Sequence, residues 1–420
     1  MTESFSADAD FLLRNAVESL PQGALERRLE QGRPLRIKFG IDPTVPDVHL
    51  GHAVPLAKLR EFQDLGHLVV LIIGDYTARV GDPSGRSAIR PRLEPGEIDA
   101  NAETYRRQAF RILDPERTEL RHNSEWLDMA MEDLFGLART ATVAQLRERD
   151  DFARHYSAGE PISVLELLYP LLQGYDSVAV RADVEIGGTD QTFNLLLGRE
   201  VQTAYGLEPQ AILAMPILPG IDGERRMSKS LDNYVGLEEE PDEIFGKLMR
   251  VPDGAMGLYY NLLLGGPPDP APAPVAQKRA LARDLTARFH GPDAAEAAEA
   301  RFDRLHVHRE APVEVEEAEL PSGEDPVHVP ALIAACFEVS RAQARRLLAQ
   351  GGVRLDGEPL GADELDVAAP RLEGAVLALG KRRFVRLRAA GAAAPGPRPS
   401  DDPQGKPEDP SAPGIAPAQR

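Results

Sequence analysis

Two histidines, His49 and His52, bracket Leu50-Gly51 just before a run whose apolar residues Val54, Leu56, Leu59 and Phe62 follow helical spacing. A helix N-terminus carries partial positive charge and unpaired N–H groups, so it attracts phosphate, and Gly51 lets a flat group approach the backbone closely. Histidines there add donors; equally, they could cap the helix. A metal reading is disfavoured because no third ligand lies nearby in the chain. A second run, Arg225-Arg226-Met227-Ser228-Lys229-Ser230, follows Pro219-Gly220-Ile221-Asp222-Gly223. Glycine, hydroxyls and two kinds of cation suit a loop that closes over phosphates and stabilises developing charge, although a solvated basic loop has the same composition. In a third segment Tyr169, Gln173 and Asp176 are spaced by four and three, which places them on one face of a helix, ahead of Gly187-Gly188-Thr189-Asp190-Gln191. Converging on a cleft, they could bind a small zwitterion with a polar tip; otherwise they form a polar stripe facing water. A fourth stretch joins Gly74-Asp75-Tyr76-Thr77 to Gly81-Asp82-Pro83-Ser84-Gly85-Arg86. The Walker A and dinucleotide-fingerprint spacings are both absent, which removes the commonest ATPase and dehydrogenase readings.

These residues need elements to position them. Leu35 to Ile41 reads as a strand, Asp42 to Asp47 as a rigid loop, His52 to Leu65 as a helix capped by Gly66, and His67 to Gly74 as a fully buried strand. That βαβ unit implies a doubly wound parallel sheet, with ligands at the carboxyl edge of its strands. Residues 101–155 and 275–305 read as mainly helical, and there is no internal repeat. Trp126 and Cys336 read as core residues, and His306 and His308 as surface residues.

The chain has 420 residues, 42% of them hydrophobic and 27% charged, which fits two or three globular domains and excludes wholesale disorder. Apolar runs such as Leu68 to Ile73 are far shorter than a membrane span, and the N-terminus does not read as a secretory signal. The lone Cys336 fits a reducing cytoplasm. A net charge of −19 argues against broad nonspecific polyanion binding. That charge is segregated, however: Val327 to Arg388 has ten basic and seven acidic residues, a balance of +3 that leaves −22 on the remainder. Within this module Ser340 reads as the N-cap of a helix bearing Arg341, Arg345 and Arg346. Gly351-Gly352 end the helix, and a strand with Arg354 and a tight turn at Asp356-Gly357 follow. By charge alone, a solvated face and RNA binding fit this module equally. Ahead of it, Glu310 to Asp325 holds seven acids, with Pro312 and Pro321 breaking any helix, and reads as a linker. Ala389 to Arg420 has eight prolines and one large apolar residue, Ile415, and reads as a disordered tail.

The order of these motifs resembles the bacterial tyrosyl-tRNA synthetases of class I. His49 to His52 is similar to that class's HIGH signature and Arg226 to Ser230 to its KMSKS signature. Tyr169, Gln173 and Asp176, with Gly187 to Gln191, resemble the tyrosine pocket and the adjoining ribose-binding turn. Val327 to Arg388 resembles the S-four-type RNA-binding module. The resemblance covers about Arg33 to Arg388. Since HxGH also occurs in small adenylyltransferases, the pocket and the C-terminal module are what make it specific. It implies an α/β fold: a doubly wound parallel-sheet (Rossmann-like) catalytic domain over 1–235 with a helical connective insertion at about 87–165, and a helical anticodon-side domain over 236–309. An acidic linker over 310–326, a small α+β RNA-binding domain over 327–388 and the tail over 389–420 complete the chain.

The implied reaction joins tyrosine to ATP as tyrosyl-adenylate with release of pyrophosphate, then passes the tyrosyl group to the terminal adenosine of tRNA(Tyr). His49, Gly51 and His52 would hold ATP together with Asp190, Met227, Ser228 and Lys229, while Lys229 and Arg226 grip the pyrophosphate. Asp82, Tyr169 and Gln173 would meet the tyrosine ammonium, Gln191 its carboxylate region and Asp176 its phenol. Arg341, Arg345, Arg346 and Arg354 would face RNA. Magnesium would travel with ATP, with no protein-bound metal or organic cofactor, and the family implies a cytoplasmic homodimer joined through the insertion after Arg86. A buried carboxylate left without its phenol rejects phenylalanine without editing, a rule for which this family is itself the usual illustration. Three positions depart from the family pattern: Lys38 stands where many members have tyrosine, Arg226 replaces the first KMSKS lysine, and Glu185 replaces a glutamine before the Gly-Gly turn. A tryptophanyl enzyme and a noncatalytic RNA-binding paralogue are the rival readings. Asp176 and the basic module disfavour the first; His49, His52, Lys229 and Gln191 disfavour the second.

Overall fold

The computed structural model describes residues 2–44, 48–82, 95–307, 316–380 and 383–389. The tail beyond Ala389, Pro83 to Arg86, Glu310 to Glu314, Lys381 and Arg382 lie outside the described residues. The described chain divides into two compact units, 1–302 and 303–420.

The first unit is built on a six-stranded sheet of Glu18–Leu20 (β1), Arg36–Ile41 (β2), Leu68–Ile73 (β3), Thr118–His122 (β4), Val184–Gly188 (β5) and Ala211–Met215 (β6), in the order β1-β6-β5-β2-β3-β4. All neighbours run parallel except β1, which pairs antiparallel with β6. The chain winds outward from β2 through β3 to β4, then returns to β5 and β6. The winding therefore reverses between β2 and β5, the position at which doubly wound sheets bind ligands. β3 is buried almost throughout, as its unbroken apolar sequence requires of a strand covered on both faces.

Two helices carry most of the chemistry. The signature helix, Leu50–Asp64, buries Leu50, Ala53, Val54, Leu56, Leu59 and Phe62 and is followed by Gly66 at φ 89°. The pocket helix, Val164–Ala179, starts at Ser163, whose hydroxyl accepts from the Glu166 N–H at 3.1 Å. It lies so close to the helix Thr192–Ala204 that a Cβ added at Gly174 would sit 3.0 Å from Val201 Cγ2.

The structure departs from the sequence reading in three places. The insertion is not all helical: Thr118–His122 joins the sheet as β4, an edge strand whose alternating Glu119, Arg121 and His122 hide the pattern of a buried strand. The helices Pro241–Leu248, Asp253–Leu263, Pro274–His290 and Pro292–Phe302, expected as a separate middle domain, share one apolar core with the sheet. The acidic linker contains a strand, Glu316–Glu319 (β7), because alternation lets its backbone pair while the carboxylates stay outward.

The second unit holds Val327–His328 (β8) paired with Asp366–Val367 (β11). Its main sheet joins β7 with Val353–Leu355 (β9), Glu358–Pro359 (β10), Val376–Leu379 (β12) and Arg383–Arg388 (β13), in the order β10-β9-β12-β13-β7. The β9–β10 turn has Asp356 and Gly357 both at positive φ, 48° and 85°, the conformation such a two-residue hairpin demands. Against this sheet pack the helices Val329–Phe337 and Arg341–Ala349.

Candidate functional site

A cleft of about 690 Å3 opens at the carboxyl ends of β2, β3, β5 and β6, within the first unit. Every residue expected at the ATP and tyrosine subsites lines it: His49, Gly51, His52, Asp190, Arg226, Met227, Ser228 and Lys229 on one side, and Asp82, Tyr169, Gln173, Asp176 and Gln191 on the other.

At the signature helix the two imidazoles lie face to tilted face, centroids 4.0 Å apart. The backbone N–H of His49 donates to His52 Nδ1 at 3.2 Å, which leaves the His52 proton on Nε2 as a donor. Burial holds His52 at about 4 and His49 well below its ordinary value, so both rings are neutral at pH 7. His49 Nδ1 is buried without a hydrogen-bond partner among the described residues, an arrangement that a polar ligand would relieve. A Cβ at Gly51 would stand 3.0 Å from the His49 ring and crowd it.

The cationic loop is held from behind by Asn233. Its Oδ1 accepts from Ser228 N–H at 2.8 Å, and its Nδ2 donates to Arg226 O at 3.1 Å and Asp222 Oδ2 at 2.9 Å. The Asn233 bond is the main reason Asp222 is depressed to about 2. Arg226 reaches across to Asp190, NH1 to Oδ2 3.5 Å. An isolated bridge between His49 and Gly236, with Leu50 N–H donating to Val235 O at 2.9 Å, ties the loop's exit to the signature helix.

On the opposite side the pocket helix turns its polar residues inward. The spacing alone left the alternative of a water-facing stripe, yet Tyr169 and Asp176 are only 6% and 4% exposed. Tyr169 donates its hydroxyl to Asp42 Oδ2 at 2.9 Å, and Thr77 donates to Asp42 Oδ1 at 2.7 Å. Asn194 Nδ2 donates to both Gln173 Oε1 (3.0 Å) and Gln191 Oε1 (2.9 Å), while Gln191 Nε2 donates to Asp82 Oδ2 at 3.0 Å. Asp82 also faces the buried Arg149, Oδ1 to NH2 3.6 Å. Deepest lies Asp176, which accepts from Trp126 Nε1 at 2.8 Å and from Asn123 Nδ2 at 3.5 Å. Burial raises its carboxyl to about 7 in spite of the opposing Lys38 ammonium. The arrangement offers neutral donors at a helix N-terminus, a cationic loop, and an enclosed carboxylate at a pocket's end: phosphate handling beside recognition of a polar tip.

Several residues of the site escaped sequence reasoning. Asp42 follows the carboxyl end of β2, a recognised strand whose edge position was the available signal, while Asn123 follows β4, which would have flagged it had that strand been recognised. Trp126, read as core, is half-buried and turns its indole N–H to Asp176. Arg149 and Asn194 carry no local signal, and Asn233 stands outside the cationic run it organises. Lys38 and Glu185, which depart from the family pattern, form one ion pair, Nζ to Oε1 2.8 Å, with both side chains almost wholly buried.

In the second unit Arg341, Arg345 and Arg346 are exposed on a helix whose Ser340 accepts from Gln343 N–H. Arg354 is half-buried, its NH1 bonded to Gly357 O at 3.1 Å, so this side chain also braces the hairpin turn.

Residues 30–307 match the family model for class I tRNA synthetases (W and Y). The tyrosine–tRNA ligase of Moorella thermoacetica is 47% identical over 393 residues, covering 90% of this chain and 94% of that protein. That of Thermotoga maritima is 46% identical over 388 residues, covering 90% and 96%. Among solved structures, a C-terminally truncated mitochondrial tyrosyl-tRNA synthetase of Aspergillus nidulans superposes with a TM-score of 0.58 at 22% identity, covering 73% of this chain and 100% of that one. The tyrosyl-tRNA synthetase of Archaeoglobus fulgidus complexed with L-tyrosine gives 0.56 at 21%, covering 70% and 99%. At such identities these two speak for the fold.

Proposed function

The chain belongs to the class I tyrosyl-tRNA synthetases, and from that premise we propose that it is a tyrosine–tRNA ligase, activating L-tyrosine with ATP and transferring the tyrosyl group to tRNA(Tyr). The observation that carries the choice of amino acid is Asp176, a buried carboxylate between two donors at the end of the pocket. A phenol O–H supplies a further donor there, whereas phenylalanine would leave the charge facing a ring edge.

In this reading the tyrosine ammonium sits among Asp82, Tyr169 and Gln173, and Gln191 meets its carboxylate region. The carboxylate attacks the α-phosphorus of ATP, the bond to the β,γ-pyrophosphate breaks, and pyrophosphate leaves. No protein nucleophile takes part. The work is positioning and stabilisation of phosphate charge. His52, neutral with its proton on Nε2, donates to phosphate oxygen alongside His49 and the backbone near Gly51. Asp190 bonds ribose, Met227 and Ser228 flank the nucleotide, and Lys229 with Arg226 takes up charge on the leaving pyrophosphate. Magnesium is proposed to arrive with ATP, bound to its phosphates.

The exposed Arg341, Arg345 and Arg346, with Arg354 beside them, are assigned to RNA phosphates. Catalysis is assigned to the first unit and RNA binding to the basic module of the second. No described helix is long and apolar enough to cross a membrane. A cytoplasmic homodimer is the expected working form. Its interface is placed on the insertion and the start of the pocket helix, where Met131, Phe135, Val143, Tyr156 and Val164 are exposed.

Amino-acid-dependent ATP–pyrophosphate exchange, run in parallel with tyrosine, phenylalanine and tryptophan, tests the reading. Exchange with tyrosine alone is expected. Exchange with tryptophan would overturn the assignment of Asp176, and none with any amino acid would favour the noncatalytic paralogue.

A further inference from the structure

Two of the three departures from the family pattern occupy directly opposed positions, Lys38 on β2 and Glu185 on β5, across the junction where the sheet's winding reverses. A lysine ammonium buried in a sheet interior is strongly disfavoured unless it is fully paired. Here it is paired on three sides: Glu185 Oε1 at 2.8 Å, Ser177 Oγ at 2.8 Å and the backbone carbonyl of Gln173 at 2.9 Å. Two of the three partners belong to the pocket helix, and they bracket Asp176 in sequence. Glu185 in turn accepts from Gln210 Nε2 through Oε2 and faces Ser177 Oγ at 3.3 Å. One face of the sheet thus grips the turn of helix that displays Gln173 and Asp176 to the cleft.

We propose that Lys38 and Glu185 act as a positioning pair for tyrosine selection, the ammonium fixing the Gln173–Ser177 turn and supplying a counter-charge to the Asp176 carboxylate that receives the phenol. The charged and polar groups facing Asp176 are Lys38 from β2, Glu185 from β5, Trp126 and Asn123 from the segment after β4, and Tyr169 from its own helix. Lys38 favours the ionised carboxylate and Glu185 opposes it, so removing either one moves Asp176 in the opposite sense from removing the other.

This inference rests on the tyrosine-activation reading, and one experiment separates the two. Exchange kinetics with tyrosine and phenylalanine are measured from pH 6 to 9 for the unaltered full-length protein, Lys38→Met, Glu185→Gln and the double variant Lys38→Met/Glu185→Met. The double variant removes both buried charges with little loss of volume, which proteins often tolerate, so it remains informative if a single variant fails to fold. In Lys38→Met the acid limb of the tyrosine kcat/KM profile is expected to move up by about one pH unit, and in Glu185→Gln to move down. The double variant should show a tyrosine KM raised roughly tenfold, kcat changed far less, and reduced preference for tyrosine over phenylalanine. A double variant with unaltered KM, preference and acid limb overturns the positioning role, as do single variants whose limbs move in the same direction. No tyrosine-dependent exchange in the unaltered protein would instead overturn the reading of function, and this inference with it.

Discussion

The indole N–H of Trp126 donates to Asp176 Oδ1 at 2.8 Å, joining the segment after the edge strand β4 to the deepest polar group of the pocket helix. Trp126 is the chain's single tryptophan, so its emission is a private reporter of this contact. Tyrosine is expected to change that emission on binding. Trp126→Phe removes a donor to a buried carboxylate, a loss of about 1–3 kcal/mol, and should raise the tyrosine KM about tenfold or more in the exchange assay.

Asp176→Asn keeps shape and removes charge. The tyrosine kcat/KM should fall about a hundredfold and that for phenylalanine much less, narrowing the ratio of the two in parallel exchange assays. The substitution also has a stability signature. The folded carboxyl sits at about 7 against its ordinary 3.8, so its contribution is fully present below pH 4 and is lost as pH rises through 7. The span is about 4 kcal/mol. Urea unfolding at pH 5 and pH 8 should accordingly show a smaller alkaline loss in the variant than in the parent.

His52 has the reverse dependence. Its folded value of about 4 lies below the ordinary 6.5, so the stability it gives is complete above pH 6.5 and is lost as pH falls through 4. His52→Asn should flatten that acid limb by up to about 3 kcal/mol in the same unfolding experiment. In function, His52→Ala should lower adenylate formation about a hundredfold while tRNA binding by filter retention stays near the parent value. Equal loss of both would contradict the division of labour between the two units.

Asn233→Ala cuts the bonds that hold the cationic loop at Ser228, Arg226 and Asp222. The expected result is a drop of about tenfold or more in kcat for exchange, with tyrosine KM little changed, because the loop acts on the leaving pyrophosphate and not on the amino acid. Faster tryptic cleavage after Arg225 and Arg226 would report the freed loop directly.

Much of this site could be read from local pattern. The HxGH run, the cationic loop and the four-and-three spacing on the pocket helix each use a periodicity or a helix terminus that a few consecutive residues define. β2, β3 and the helix between them were legible for the same reason, since a fully buried parallel strand must be apolar throughout. β4 was not, because an edge strand alternates charge with apolar residues and needs a neighbour before it counts as a strand. β7 was hidden similarly: seven acids read as a linker, yet backbone pairing asks little of side chains that point outward.

What the sequence determined by itself was the set of chemical groups and the order of elements that carries them to one sheet edge. Which way those groups face was decided by tertiary structure. Nothing near Tyr169 or Asp176 in sequence says whether their stripe meets water or a cleft; the sheet and the indole of Trp126 settle that by burying it. Likewise Lys38 and Glu185, 147 residues apart in number, look like two unrelated departures until register sets them opposite each other. Burial then makes each necessary to the other, since a lone charge there has no water to turn to.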